Sequence, residues 1–304
     1  MHAGYHLMKG MTLLAMVFGL CVVLGGCSSV SGHSSTPLNS PLKVVVGPVI
    51  LESPLHKSTD IHSFDVAPSP EFEPIIAGQL VDELQTKAQR FLTEQLARRH
   101  EFTVVPFDET RRMVADLTSA GTVLTAEQLQ TLAAQSGADI VFTGVIHDYG
   151  RVRWQYWVTG LAVHATTELL VVGFASGWNP AIVVPFFFLD VATDLPIWYG
   201  GAYVFGWAFR PVRVGLEATQ MRDCRGVVWS GEELAIHVPG EMLAEYPPEE
   251  QSKKETQLEA NLKRVMSDFA ETVAPKLAIQ PCQADGTPAK ISSFSIWSFL
   301  DLLY

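Results

Sequence analysis

Thr125–Ile146, TAEQLQTLAAQSGADIVFTGVI, holds in immediate succession the start of a helix, its end and a buried strand. Thr125 and Gln128 have the spacing of a capping box, in which each side chain bonds the other residue's backbone amide. Gly137 stands where helices commonly end in a left-handed residue. The apolar run Ala138–Ile146 predicts a strand buried on both faces. A helix followed directly by such a strand is typical of a sheet covered by helices.

Upstream of this stretch the chain alternates strands and helices in the same way. Lys43–Leu51, KVVVGPVIL, predicts a buried strand, residues 52–74 a proline-rich loop, and Phe102–Val105 a second short strand. Ile76–Arg99 predicts a helix whose apolar stripe consists of Leu80, Leu84, Ala88, Phe91, Leu92 and Leu96. A further helix is expected to begin at an Asp108 cap.

Downstream, the pattern changes to an antiparallel hairpin and a long helix. Arg210–Gln220 and Val227–His237 alternate apolar and polar residues around a short turn, which predicts two paired strands. Ser252 and Glu255 match a second capping box. It precedes a regular apolar stripe formed by Leu258, Leu262, Val265, Met266, Phe269 and Val273. The predicted fold class is α/β with an α+β tendency, a mixed sheet of about five strands covered by amphipathic helices.

Several of these segments resemble a known family. The strand entry SGADIVFTG of residues 136–144 and the hairpin VRVGLEATQMRDCRGVVWSGEEL of residues 212–234 are similar to two proteins. These are the periplasmic α/β domain of the curli-secretion channel lipoprotein and the amino-terminal domain of the TolB protein. The resemblance covers residues 43–150 and 210–278. It implies a domain of the cell envelope, where related domains serve secretion, envelope assembly or regulation of cell-wall enzymes.

The amino terminus has the pattern of a lipoprotein export signal. The uncharged run of residues 11–24 follows Lys9 and is too short to cross a bilayer comfortably. Leu24-Gly25-Gly26-Cys27 resembles the bacterial lipobox, in which the signal is cut before the cysteine and the thiol carries diacylglycerol. This predicts removal of residues 1–26 and a covalent lipid on Cys27. A plain secretory signal or an uncleaved anchor helix is the alternative.

The residues after Cys27 set the expected position in the envelope. Two or three acyl chains together anchor a protein stably in a membrane. In lipoproteins of this type, serine at the position of Ser28 indicates the outer membrane at its periplasmic face. Residues 27–42 are rich in serine and proline, which predicts a flexible tether with an r.m.s. span of about 20 Å.

The charge argues against nucleic acid as a partner, and the cysteine spacing argues against a zinc site. With 21 Lys and Arg against 32 Asp and Glu, the formal net charge is −11 at pH 7, whereas nucleic-acid binding requires a basic surface. Cys224 and Cys282 are the thiols left after signal removal and acylation, and they either pair as a disulfide or stay free. No zinc-type cysteine spacing occurs. We expect no metal and no cofactor besides the lipid on Cys27.

Residues 154–209 depart from the family pattern. They contain no Lys or Arg, and Leu169–Leu189 contains no charged residue. Residues 177–180, GWNP, are a turn signature inside this apolar run, which predicts a hairpin of two helices over 157–176 and 180–195. Three interpretations stay open: a hairpin that enters the membrane, a hairpin buried in the core, and an oligomer interface.

Aromatic residues flank and interrupt this insertion. Such rings favour the membrane interface or a protein partner. The residues predicted to make membrane or partner contacts are Trp154, Trp157, Trp178, Phe186, Phe187, Trp198, Tyr199 and Trp207.

Few residues point to catalysis. His164 and Glu168, four apart, can share one helix face, but two ligands do not make a metal site. A proton relay is the other functional interpretation of this pair. Asp190 and Asp194 allow the same argument, and Asp194, which precedes Leu195-Pro196, is expected to cap a turn. No phosphate-binding loop and no nucleophile elbow occurs. We therefore expect a protein that is not an enzyme.

The predicted organisation is one α/β domain built from residues 43–153 and 210–280, with the insertion between them. Residues 281–304 form an apolar tail that should be covered by protein, lipid or a partner. The expected function is that of a lipid-anchored envelope lipoprotein, an assembly, secretion or accessory factor that contacts the membrane and envelope proteins and can self-associate. The alternatives are a subunit of an oligomeric outer-membrane secretion channel and a hydrolase of envelope substrates.

Overall fold

A computed structural model of the chain describes residues 41–55, 57–118, 122–151, 154–198, 209–222, 225–238, 240–277 and 291–292. The predictions for the signal, for Cys27 and for the tether up to residue 40 lie outside the described residues. The predicted alternatives for Cys224 and Cys282 also fall outside them.

A single mixed sheet joins strands from both parts of the chain. Its strands are β1 (Leu42–Leu51), β2 (Phe102–Val104), β3 (Ile140–Tyr149), β4 (Phe209–Gln220), β5 (Gly226–His237) and β6 (Ile291–Ser292). They lie in the order β2-β1-β3-β4-β5-β6. β1 runs parallel to β2 and β3, whereas β3, β4 and β5 are antiparallel neighbours. The α/β class is confirmed, and the two-residue β6, parallel to β5, brings part of the tail into the sheet.

Helices cover parts of both faces of this sheet. Those described are α1 (Glu73–Ala97), α2 (Phe107–Leu117), α3 (Ala126–Ser136), α4 (Trp154–Ala175), α5 (Pro180–Trp198), α6 (Gly240–Leu243), α7 (Pro248–Gln251) and α8 (Lys254–Val273). α1 packs on β1, and α8 packs on β4 and β5. α2 and α3 pack against the opposite face of β1. Val44 and Val46 accordingly belong to one apolar cluster and Val45 to the other, since successive strand side chains point to opposite faces.

The apolar stripes predicted for the two long helices lie in the core. Leu92 and Leu96 of α1 and Leu262 of α8 are fully buried. Trp229 of β5 packs edge-on against Phe269 of α8, with ring centroids 6.0 Å apart. Burial of each such side chain stabilises the fold by about 1.5–3 kcal/mol. These apolar contacts therefore stabilise the packing of both helices on one face of the sheet.

α3 starts and ends as its sequence predicts. The Gln128 amide donates to Thr125 Oγ1 at 3.3 Å, and the Thr125 amide donates to Gln128 Oε1 at 2.8 Å. Gly137 ends the helix in the left-handed conformation, with φ 63°. The capping box and the glycine stop are therefore both confirmed.

The start of α2 differs from the prediction. The helix begins at Phe107 with Pro106 at its N-cap, so Asp108 lies in the first turn. There its carboxylate still lies near the positive end of the helix dipole.

The start of α8 differs as well, and a distant residue is the reason. Lys253 occupies the N-cap, so the capping box predicted for Ser252 is wrong. Ser63 of the long loop takes its place. Its Oγ accepts from the Lys254 amide at 2.9 Å, and its own amide donates to Glu255 Oε2 at 2.8 Å. The first turn of α8 is thus capped by Ser63, a residue from a distant part of the chain.

A buried ion network crosses the three antiparallel strands. Arg213 of β4 places Nε 3.1 Å from Asp148 Oδ2 of β3 and Nη1 3.1 Å from Glu232 Oε1 of β5. The Asp148 side chain is 0% exposed. Removing one partner of such a network leaves an uncompensated buried charge, which costs about 3–5 kcal/mol.

A more exposed charge cluster ties α1 to α8. Lys87 Nζ lies 2.8 Å from Glu83 Oε1 and 2.8 Å from Glu259 Oε2. Burial alone would raise the pKa of Glu259. The hydrogen bond and charge of Lys87, together with the charge of Lys263, outweigh burial and hold this pKa below its ordinary value. The folded state therefore favours the ionised carboxylate.

Glu259→Gln should destabilise the protein at pH 7 by about 1 kcal/mol, because the cluster is partly exposed and screened. The folded pKa of Glu259 is depressed. Its contribution is therefore present in full above the unfolded value of about 4.3 and is lost as the pH falls through the folded pKa. Urea unfolding at pH 7 and pH 3 should show the difference between wild type and variant shrink at pH 3.

Glu83→Gln is the matched control, since it removes the more exposed of the two acids beside Lys87. The side chain of Glu83 is 57% exposed and that of Glu259 is 21% exposed. This control should lower the free energy of unfolding by less. Equal losses for both variants, or a loss for Glu259→Gln that does not change with pH, would contradict the assignment.

Candidate functional site

The insertion between β3 and β4 folds as a pair of helices packed against each other. α4 and α5 are joined by a tight turn in which Gly177 and Trp178 have positive φ values of 63° and 61°. Asn179 Oδ1 accepts from the Ala181 amide at 3.1 Å where α5 begins. The predicted helical hairpin and its turn are confirmed, and both helices extend further towards the base than predicted.

At the base of the hairpin the flanking strands close directly on each other. Tyr149 of β3 pairs with Val212 of β4. The Gly150 amide donates to the Pro211 carbonyl at 2.8 Å. The chain therefore leaves the sheet and re-enters it at neighbouring points.

The distal end of the hairpin exposes apolar side chains. We call this the tip surface, and it consists of Leu170, Val171, Phe174, Trp178, Ile182, Val184, Phe187, Phe188 and Leu189. Each of these residues is at least 37% exposed. No charged residue lies between Leu169 and Leu189. A concentration of exposed large apolar side chains is typical of interaction sites with membranes or proteins.

Trp178 at the turn packs against two residues of α4. Its ring covers Gly173, where an added Cβ would lie 2.7 Å from a ring carbon. It also makes an edge-on contact with Phe174, with ring centroids 5.7 Å apart. Because Gly173 has no side chain, the ring of Trp178 can pack directly on α4.

The predicted contact residues divide into three groups. Trp178 and Phe187 lie in the tip surface, and Phe186 is half-buried. The others have no described side chain: Trp154, Trp157, Trp198, Tyr199 and Trp207. Sequence reasoning missed Phe188 and Leu189, which are 67% and 65% exposed. Helical spacing within the apolar run was the signal that could have found them.

Polar side chains lie within the hairpin, on the base side of the tip surface. His164 Nε2 lies 3.1 Å from Glu168 Oε1 on α4. Asp190 of α5 joins them, so that one ligand atom from each residue lies within 4.8 Å of the other two. The sequence pairs the first two residues, while only the packing of the helices adds Asp190. None of the described helices has both the length and the hydropathy that a bilayer crossing requires.

A concave surface lies on the sheet face beside α3. This groove has a volume of about 650 Å³, and its lining includes His147, Gly215 and Ser230. His147 Nδ1 lies 2.7 Å from Glu52 Oε2. The groove shows a mixed polar and apolar lining, and its histidine is already paired with an acid.

Comparisons with known proteins leave the family open. No protein-family profile and no curated protein matches the chain. Among solved structures, the hypothetical protein CT253 from Chlamydia trachomatis is similar at 10% identity and a TM-score of 0.34, over 77% of this chain and 96% of that one. The C-terminal domain of LpoB from Salmonella enterica is similar at 9% identity and a TM-score of 0.25, over 66% and 87%.

Both TM-scores lie below 0.5, so these likenesses carry no argument about function. Neither neighbour is named as a curli-secretion lipoprotein or a TolB protein. The resemblance to those two proteins therefore stays a prediction.

Replacing residues 152–208 with Gly-Ser-Gly should leave the sheet folded, because Tyr149 and Val212 already pair at the base. We expect one cooperative thermal transition, measured by circular dichroism, with a midpoint close to that of the whole chain. Deleting residues 57–70 is the control, since it removes Ser63 and its bonds to α8, and it should lower the midpoint by more. Loss of cooperative unfolding in the first variant would mean that the hairpin belongs to the core.

Proposed function

We propose that the protein is a lipid-anchored, non-enzymatic accessory factor of the cell envelope that inserts the tip surface of its hairpin into one leaflet of a membrane. The observation that carries the proposal is the exposed apolar tip surface. The lipobox resemblance at Cys27 supports it from the sequence, since an acylated chain is already held beside a membrane.

The depth of the polar residues supports insertion into a single leaflet. Glu168 lies seven residues before the end of α4 at Ala175, which corresponds to about 10 Å of helix. One leaflet contributes about half of the 30 Å hydrocarbon core. The tip surface can therefore enter the hydrocarbon while His164, Glu168 and Asp190 lie near the level of the headgroups.

The energetics of the tip surface favour the same arrangement. Apolar area gains about 25 cal/mol for each Å² removed from water, and nine large apolar residues share this surface. The net charge of −11 gives no basic patch for anionic lipid. Binding should therefore depend on apolar insertion and not on the charge of the lipid.

The envelope partners in this proposal are proteins held near the same membrane, and the outer membrane at its periplasmic face is the site that Ser28 favours. With the tip inserted, the sheet and its groove of about 650 Å³ stay outside the lipid and face such partners. Self-association through the tip surface, as in an oligomeric channel, is the competing arrangement.

Flotation with neutral phosphatidylcholine vesicles tests the membrane contact, using the chain from Ser28 onward made without lipid. Phe188→Glu combined with Leu189→Glu should lower the bound fraction at least about tenfold, since each charge placed in hydrocarbon costs about 2.5–3.5 kcal/mol. Val66→Glu combined with Ile75→Glu adds the same charge at residues that are 84% and 59% exposed outside the hairpin. This control should bind like the wild type.

Equal binding by both double variants would refute insertion of the tip. Absence of vesicle binding by the wild type, together with a homo-oligomer in solution that only the tip variant dissociates, would favour the oligomeric alternative.

Metabolic labelling with palmitate tests the anchor. Cys27→Ser should abolish the label and leave the precursor uncut, because the thiol of Cys27 is the expected acylation site. Cys21→Ser, in the apolar run that precedes Cys27, is the matched control and should keep the label. Normal labelling of the Cys27→Ser protein would refute the lipoprotein assignment.

A further inference from the structure

His164, Glu168 and Asp190 form a compact group of metal-ligand types in an otherwise apolar hairpin. His164 and Glu168 lie one turn apart on the same face of α4. Asp190 reaches them from α5, and one ligand atom from each of the three lies within 4.8 Å of the others. Among the described residues this is the one group of three or more such side chains that meets in this way.

The state of Asp190 is unfavourable without a bound cation. The residue is 9% exposed, and its Oδ2 is buried and accepts no hydrogen bond from the part of the chain that the structure describes. A buried carboxylate without compensation costs several kcal/mol. Residues 154–209 supply no Lys or Arg that could neutralise it.

We infer that these three residues form a binding site for a divalent transition-metal ion, with Zn²⁺ as the preferred cation. Zn²⁺ with two carboxylates and a neutral imidazole carries no net charge, which suits an apolar surrounding. Zinc bonds to nitrogen and oxygen measure about 2.0–2.2 Å, so tetrahedral ligand atoms on one ion lie about 3.3–3.6 Å apart. His164 Nε2 and Glu168 Oε1 are 3.1 Å apart, and the ligand atoms of all three residues lie within 4.8 Å of one another. Side-chain shifts of about 1–1.5 Å therefore bring the three atoms onto one ion.

The ligand types also separate zinc from the hard cations. Ca²⁺ and Mg²⁺ take oxygen ligands, whereas imidazole nitrogen favours Zn²⁺ and its neighbours in the first transition row. Three protein ligands leave one tetrahedral position for water. Because the ligands come from both helices, the ion clamps α4 to α5 at the level where the tip surface begins. The site does not depend on membrane insertion.

The test uses the full lipidated chain in detergent, stripped of metal with a chelator and then dialysed against micromolar Zn²⁺. Elemental analysis should find one zinc per chain. Co²⁺ in its place should give the visible absorption of a low-symmetry nitrogen and oxygen site. Asp190→Asn, which keeps the shape of the side chain, and His164→Gln should each weaken zinc binding at least about tenfold, since even the loss of a residue that only supports a ligand weakens metal binding about 10–100-fold.

His147→Gln is the matched control, because His147 also pairs with a glutamate, Glu52, at 2.7 Å. It should bind zinc like the wild type, and so should Cys224→Ser, which removes a competing thiol. Circular dichroism checks that each variant is folded. Zinc absent from the wild type, or zinc retained unchanged by both Asp190→Asn and His164→Gln, overturns the site. So does zinc lost from His147→Gln to the same extent.

Discussion

The antiparallel pairing of β3 with β4 is the constraint on which the rest of the molecule depends. β3 also pairs in parallel with β1, and β4 pairs with β5, so the contact between them joins the parallel half of the sheet to the antiparallel half. Arg213 reinforces this junction from within by bridging Asp148 and Glu232 across three strands. The pairing also brings the two ends of the insertion together. A long apolar segment can therefore leave the sheet without interrupting its hydrogen bonds.

Features set by local periodicity could be predicted from the sequence. The stripes of α1 and α8 follow directly from i, i+4 spacing, and the start of α3 follows from two residues three apart. The hairpin turn at Gly177 has a signature of its own. In each case the physical cause lies within one or two helical turns, so the sequence contains all of it.

Features that depend on residues far apart were missed. Ser63 caps α8 from a loop that no periodicity connects with that helix. β6 joins the sheet through two residues of a tail that carries no strand pattern. Asp190 approaches His164 because of how α4 packs on α5, and neither helix alone determines that packing. In the candidate site, the apolar hairpin and the pairing of His164 with Glu168 were therefore predicted, whereas the approach of Asp190 was missed.

The bonds of Ser63 have a consequence for the order of folding. They join residues 191 and 192 positions apart, since Ser63 contacts Lys254 and Glu255. Contacts of such long sequence separation form late, because the chain between them must first be ordered. The loop that contains Ser63 can therefore take up its final position only after α8 has been synthesised. The sequence places a predicted export signal ahead of this loop, so in the proposed exported chain the bonds of Ser63 would form only after Lys254 and Glu255 have crossed the membrane.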